Sequence, residues 1–140
     1  MKNIEIIIPS IQNALKKEPG VLAAYVLGSY AKETHNKESD FDIAVVVENK
    51  KLITQESVYE LLKDIPFPKD PDVSIVDKAS SPIFLFQIIK FGSRIYTKDE
   101  NSTNNFEAYA LKYYYDTQHL RNIYNYYLKE KFSQKQYANR

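Results

Sequence analysis

Two continuous apolar runs of strand length lie near the start of the chain, and a polar stretch separates them. The first, "VLAAYVL", covers residues 21–27, and the second, "DFDIAVVV", covers residues 40–47. Uninterrupted apolar runs of this length are typical of strands that are buried on both faces of a sheet. We therefore expect the core to be built on a central sheet that helices cover.

Hydrophobic periodicity and the placement of Gly and Pro predict the remaining elements. Pro9 lies inside the first predicted helix, which must either begin or bend there. The polar segment "KDENSTNN", residues 98–105, is typical of a linker. The predicted helices cover residues 4–15, 54–65, 80–92 and 106 to about 132, and the two further strands cover residues 72–76 and 93–97, the latter at a sheet edge.

This order of elements belongs to the α/β or α+β class, and we expect a small mixed sheet of about four strands. A chain of 140 residues has the size at which a single domain is usual. Within that domain, residues 1–97 form the expected core. Residues 98–140 form a helical extension that packs on the core or on a partner.

Composition and charge exclude several classes of protein. The chain has no cysteine, so it holds neither disulfides nor a thiolate metal site. Its formal net charge of +1 gives no overall attraction to nucleic acids or anionic membranes, so direct binding to either is not expected. No apolar run approaches the roughly 20 residues that span a bilayer, and the N-terminus lacks a signal-peptide pattern. We therefore expect a cytoplasmic protein.

Two acids interrupt the start of the second apolar run. Residues two apart on a strand point to the same side, so Asp40 and Asp42 lie together while Phe41 points into the core. Two like charges so close repel one another unless a cation neutralises them. Mg²⁺ prefers oxygen ligands and commonly takes one or two carboxylates together with substrate phosphates. The pair therefore predicts a metal site.

Small and basic residues follow the first apolar run. Gly28 lets backbone N–H groups approach a phosphate closely, and the Ser29 hydroxyl adds one more donor. Lys32 lies one short turn later and can place a positive charge on the same phosphate. These three residues predict a phosphate-binding turn at the end of the first strand.

A third carboxylate completes the predicted site. Phosphoryl or nucleotidyl transfer with two metal ions needs a ligand that also lies near the attacking hydroxyl. Asp72 opens the third strand, "DVSIV", and fits that position better than Asp70 or Asp77, which flank the strand.

The chain resembles the minimal nucleotidyltransferases of the DNA polymerase β superfamily. The shared pattern is Gly-Ser, ten residues, Asp-x-Asp and, about thirty residues later, an acid that opens another strand. "YVLGSYA", "SDFDIAVVV", "DVSIVDKAS" and "IIKFGSRIYT" occur in the family's order and extend the resemblance over residues 21–97. Within the superfamily the chain is similar to the MntA-type antitoxins, which are partners of HepT toxins of the HEPN ribonuclease class.

The resemblance implies a polymerase-β-like fold with a long C-terminal helix, and a reaction. ATP is the implied substrate, two Mg²⁺ ions are the implied cofactors, and AMP passes to a tyrosine of a HepT-type toxin, which silences its ribonuclease. The family often has Arg-Gly where this chain has Lys32 and Glu33. The implied nucleotide-binding residues are Gly28, Ser29 and Lys32, and the implied catalytic and metal-binding residues are Asp40, Asp42 and Asp72.

Two other functions fit the same residues. Seven of the twelve tyrosines lie between residues 109 and 127, more aromatic residues than one buried stripe of a helix uses, and tyrosine is enriched at protein interfaces. One alternative is therefore an antitoxin that neutralises its toxin by binding alone. The other is a nucleotidyltransferase that acts on a small molecule or an RNA end. The lack of a further substrate domain and of a strong basic face argues against it.

Overall fold

The computed structural model describes residues 2–28 and 41–138, and the side chains of residues 4–28 and 41–133. Within these ranges the chain forms four helices and four strands. In chain order the elements are α1 (Lys2–Leu15), β1 (Val21–Leu27), β2 (Phe41–Val47), α2 (Gln55–Leu62), β3 (Pro71–Val76), α3 (Pro82–Phe91), β4 (Ser93–Thr97) and α4 (Glu100–Ala138).

The strands form one mixed sheet in the order β3-β2-β1-β4. β1 is antiparallel to both of its neighbours, whereas β2 and β3 run parallel. A parallel pair needs a long crossover connection, which α2 provides. The two apolar runs are therefore the central strands, and β4 is an edge strand. The predicted fold class is confirmed.

Helices cover both faces of the sheet, and each face has its own buried cluster. Burying one large apolar side chain stabilises the fold by about 1.5–3 kcal/mol, so each cluster helps to hold the sheet against its helices. The cluster that α1 and α2 cover includes Ile11, Leu15, Phe41, Val45 and Val58. The cluster that α3 and α4 cover includes Tyr25, Ala44, Leu85, Ile88 and Phe106.

Capping residues set the bounds of the two shorter helices. Before α2, the Ser57 N–H donates to Thr54 Oγ1 at 3.1 Å and the Thr54 N–H donates to Ser57 Oγ at 3.2 Å. Pro82 occupies the first turn of α3, where its missing N–H leaves no hydrogen bond unmade. After α3, the N–H of Gly92 donates to the Ile88 carbonyl at 2.9 Å.

The interpretation of residues 98–105 as a linker is wrong, because α4 begins at Glu100. Asp99 caps the helix. Its Oδ2 accepts hydrogen bonds from the Ser102 N–H at 3.1 Å and the Ser102 hydroxyl at 2.8 Å. These bonds lower the pKa of Asp99. Thr103, one residue further, is fully buried. The polar segment is therefore a cap and the first turns of a helix.

Two other helix boundaries differ from the sequence prediction. α1 continues through Pro9, so the alternative in which that helix begins at Pro9 is wrong. α4 is 39 residues long and ends at Ala138 instead of near residue 132. Despite this length, neither α4 nor another helix in the described ranges is apolar enough to cross a membrane. The division of the domain into residues 1–97 and 98–140 stays a prediction.

Candidate active site

Three neighbouring strands bring Gly28, Asp42 and Asp72 to the same end of the sheet. Leu27, the last residue of β1, pairs with Asp42 near the start of β2. Asp42 in turn pairs with Asp72 near the start of β3. Because neighbouring strands lie about 4.8 Å apart, the two aspartates are adjacent across the parallel pair. Three of the six residues singled out in the sequence therefore lie together at one end of the sheet.

The two aspartates share a face of the sheet. Phe41 and Ile43, on either side of Asp42, are fully buried in the cluster that α1 and α2 cover. Val73, next to Asp72, belongs to the same cluster. Since side chains alternate along a strand, Asp42 and Asp72 lie on the opposite face, the one that α3 and α4 cover. Asp42 is half-buried and Asp72 is exposed, so this face presents carboxylates to a ligand from solvent.

Gly28 lies directly against the Asp42 carboxylate. Its φ is 68°, in the left-handed region that residues with a side chain rarely adopt. A Cβ at this position would stand 3.4 Å from Asp42 Oδ2. Gly28 therefore presents exposed backbone beside a carboxylate, an arrangement suited to a phosphate that a cation links to the carboxylate.

Ser29, Lys32 and Asp40 lie outside the described residues, and their roles stay predictions from the sequence. In the ranges that the structure covers, no group of three or more His, Cys, Asp or Glu residues could hold a metal ion. The predicted metal set includes Asp40 and is therefore incomplete in those ranges. Asp42 and Asp72 supply only oxygen donors from paired positions, and this donor chemistry fits a hard cation such as Mg²⁺.

A hydrogen-bonded cluster that the sequence did not reveal ties α4 to the strand leading into the site. The Tyr25 hydroxyl donates to Glu107 Oε1 at 2.6 Å, and Arg94 Nη2 donates to the same oxygen at 2.7 Å. Burial, and then the Glu107 carboxylate, raise the pKa of Tyr25 well above its ordinary value. Tyr25 stands three residues before Gly28. Because Tyr25 and Glu107 are 82 residues apart in the chain, no local pattern signals the cluster.

The sheet topology and the placement of the acids define a class of protein. A family model described as polymerase beta, nucleotidyltransferase, matches residues 9–101. This range includes every strand of the sheet and all the predicted site residues. The chain belongs to the polymerase β nucleotidyltransferase family.

Among curated proteins, the chain is similar to the protein adenylyltransferase MntA of Shewanella oneidensis. The two sequences are 27% identical over 104 residues, which cover 74% of this chain and 70% of that protein. The predicted resemblance to the MntA-type antitoxins is thereby confirmed.

Solved structures of toxin–antitoxin complexes share the fold. A chain in the crystal structure of a toxin–antitoxin with AMP-PNP superposes with a TM-score of 0.65 at 23% identity, covering 88% of this chain and 96% of that chain. A chain in the complex of the tri-AMPylated Shewanella oneidensis HEPN toxin with its MNT antitoxin gives a TM-score of 0.61 at 21% identity, with coverages of 90% and 96%. The overlap extends beyond residue 101, so it includes part of α4.

Proposed function

We propose that this chain is an antitoxin that transfers AMP from ATP to a tyrosine of a HepT-type HEPN ribonuclease toxin and thereby silences it. The observation that carries the proposal is the meeting of Gly28, Asp42 and Asp72 at one end of the sheet in a member of the nucleotidyltransferase family. Similarity to a protein adenylyltransferase supports AMP as the transferred group. A structural neighbour whose partner is an AMPylated HEPN toxin supports the acceptor.

The triphosphate binds at the end of β1. The backbone N–H of Gly28 and the hydroxyl of Ser29 donate to its phosphate oxygens, and Lys32 adds a positive charge. Lysine acts here as a point charge, where an arginine would form two parallel hydrogen bonds. Gly28, Ser29 and Lys32 together therefore set the position of the α-phosphate.

The acceptor approaches the carboxylate side of the site. Asp40, Asp42 and Asp72 would hold two Mg²⁺ ions, which supply positive charge against the triphosphate and the leaving pyrophosphate. Asp72 orients the acceptor hydroxyl and takes its proton. The tyrosine oxygen bonds to the α-phosphorus as the bond to the bridging oxygen of pyrophosphate breaks. The reaction would take place in the cytoplasm, where a ribonuclease toxin finds its RNA.

Transfer of a labelled α-phosphate tests this proposal. The purified chain is incubated with its partner toxin, Mg²⁺ and ATP labelled at the α-phosphate, and label on the toxin is counted. The double variant Asp40→Asn, Asp42→Asn is expected to transfer no label. Asp116→Asn, an exposed carboxylate on α4, is the matched control and should transfer label as the wild type does. Unchanged labelling by the double variant would rule out the proposed site.

A second candidate is an antitoxin that acts by binding alone. The observation that favours it is the exposure of apolar side chains on the C-terminal part of α4, where Leu120, Tyr124 and Tyr127 are 65%, 64% and 70% exposed. Side chains of this kind are suited to a protein interface. If the double Asn variant still rescues growth when the toxin is expressed at its normal level, this candidate replaces the first.

A further inference from the structure

α4 is much longer than the strands on which it packs. It has 39 residues, so at about 1.5 Å per residue it is about 58 Å long. The seven residues of β1 span only about 23 Å, at about 3.3 Å per residue. From residue 118 to residue 133 only Arg121 and Leu128 are half-buried, and every other side chain is exposed. The rest of the described chain therefore covers little of this part of the helix.

One side of this exposed part of α4 is apolar. Ile123, Tyr124 and Tyr127 lie three, four and seven residues after Leu120, a spacing that places all four on one face of a helix. We call these four residues the α4 face. Their side chains are between 53% and 70% exposed. Since a helix in a protein owes most of its stability to the packing of such a face, the α4 face is suited to a contact with another polypeptide.

Charges of opposite sign stand at the two ends of the α4 face. Asp116 lies four residues before Leu120, and Lys131 lies four residues after Tyr127. Residues four apart are neighbours on the surface of a helix, so both charges continue the face. Lys131 is exposed, and the Asp116 side chain is 62% exposed. Lys112 Nζ lies 3.1 Å from Asp116 Oδ2, but an ion pair this exposed is weak and leaves the carboxylate accessible to a second cation.

The order of these residues is symmetric about the point between residues 123 and 124. When a two-fold axis relates two copies, a residue i that contacts residue j of the second copy is matched by j contacting i. With the two α4 helices antiparallel and the axis at this point, Leu120 lies opposite Tyr127 of the second copy. Ile123 lies opposite Tyr124 in the same way. Each copy then covers all four apolar side chains of the other.

The two charges determine the direction in which the helices pair. In the antiparallel arrangement, Asp116 of each copy lies opposite Lys131 of the other copy, so that two ion pairs form. In a parallel arrangement, Asp116 would meet Asp116 and Lys131 would meet Lys131, and such like-charge contacts are unfavourable. The α4 face is therefore complementary to itself when the two helices run in opposite directions.

We propose that the α4 face joins two copies of this chain into an antiparallel dimer. Four large side chains from each copy make a small interface, which is typical of weak and reversible association. The chain is therefore a monomer when dilute and a dimer when concentrated. Gly28, Asp42 and Asp72 come together within a single chain, so each copy has its own candidate site. The inference therefore does not depend on the proposed AMP transfer.

A charge swap tests the dimer. Sedimentation velocity of the full chain over a range of concentrations, without toxin or ATP, gives the Kd of association. Asp116→Lys and Lys131→Asp each put like charges at both ends of the interface and should raise this Kd roughly tenfold. The double variant Asp116→Lys, Lys131→Asp restores opposite charges and should return the Kd to the wild-type value. Lys129→Asp is the matched control and should leave the Kd unchanged, because Lys129 is exposed and residues two apart do not share a helix face.

A variant of the apolar face completes the test, and circular dichroism checks that every variant keeps its helices. Leu120→Glu changes a side chain that is 65% exposed and should keep the chain monomeric at every concentration. A wild-type chain that stays monomeric when concentrated overturns the proposal. So do single charge variants that associate as the wild type does, or a double variant that associates no better than they do. If the chain alone is monomeric and Leu120→Glu instead weakens binding to the partner toxin, a partner protein covers the α4 face and the dimer is ruled out.

Discussion

At the scale of single residues, the candidate site depends on one contact between backbone and carboxylate. Gly28 adopts a φ of 68°, and a Cβ there would stand 3.4 Å from Asp42 Oδ2. That separation is an ordinary van der Waals contact, so an added methyl group meets the carboxylate without a clash. The backbone conformation is therefore the stronger constraint on stability. The space beside the Asp42 carboxylate matters instead for binding, because the proposed function places the phosphate there.

Substituting this glycine separates the two constraints. Gly28→Ala is expected to lower the free energy of unfolding by about 1–2 kcal/mol, because alanine is disfavoured at positive φ. Gly28→Asn should lose less, since asparagine tolerates the left-handed region. Both variants should bind ATP more weakly, because each adds a side chain at the phosphate turn. Urea denaturation and ATP titration measure the two effects, and equal losses of stability would contradict the conformational explanation.

At the scale of secondary-structure elements, α4 has two unlike parts. Its N-terminal part packs on the sheet, where Phe106 is 2% exposed and Ala110 is fully buried. The Tyr114 ring then stacks on Phe86 of α3 at 3.9 Å between centroids. Further along, Tyr127 is 70% exposed. The N-terminal part of α4 therefore stabilises the fold, whereas the C-terminal part exposes its side chains to solvent.

Alanine substitutions measure this difference. Phe106→Ala should lower the free energy of unfolding by about 3–5 kcal/mol, because it leaves a cavity between α4 and the sheet. Tyr127→Ala should change it by less than about 0.5 kcal/mol, because little of that side chain is buried. Urea denaturation at neutral pH gives both values. Comparable losses in the two variants would show that the C-terminal part of α4 also carries the fold.

The contact of α4 with β1 predicts a dependence on pH. The folded-state pKa of Tyr25 is raised above that of the unfolded chain, so its contribution to stability is complete below about pH 10 and is lost as the pH rises further. At pH 8, Tyr25→Phe should lower the free energy of unfolding by about 1.5 kcal/mol, the worth of a hydrogen bond to a charged group. Urea unfolding from pH 8 to pH 11 should show that difference shrink. A constant difference would mean that Tyr25 does not titrate as proposed.

The elements differ in how far the sequence predicts them. β1 and β2 follow from continuous apolar runs, which are local patterns that burial on both faces enforces. The sequence did not predict the start of α4, because a capping residue such as Asp99 looks the same in sequence as part of a polar turn. The burial of Thr103, which distinguishes the two, is visible only in the structure. The pairing of Asp42 with Asp72 depends on sheet order and register, which no residue spacing fixes.

At the scale of the whole molecule, the sheet topology puts the proposed nucleotide site and the proposed acceptor site on different strands, and α4 follows both in the chain. The proposed phosphate-binding residues follow β1, and Asp72, the proposed acceptor carboxylate, lies near the start of β3 with β2 between them. The family match ends at residue 101, one residue after α4 begins, so most of α4 lies outside the matched region. This arrangement suits an enzyme whose core performs the transfer and whose remaining surfaces select the protein that receives AMP.

The most direct test of AMP transfer is the mass of the partner toxin after co-expression with this chain. The wild-type chain is expected to add one or more AMP groups to a tyrosine of the toxin, located by peptide mass spectrometry. The Asp40→Asn, Asp42→Asn variant should leave the toxin at its unmodified mass. A toxin that stays unmodified beside the wild-type chain while cells are still protected would contradict AMP transfer as the function of this chain.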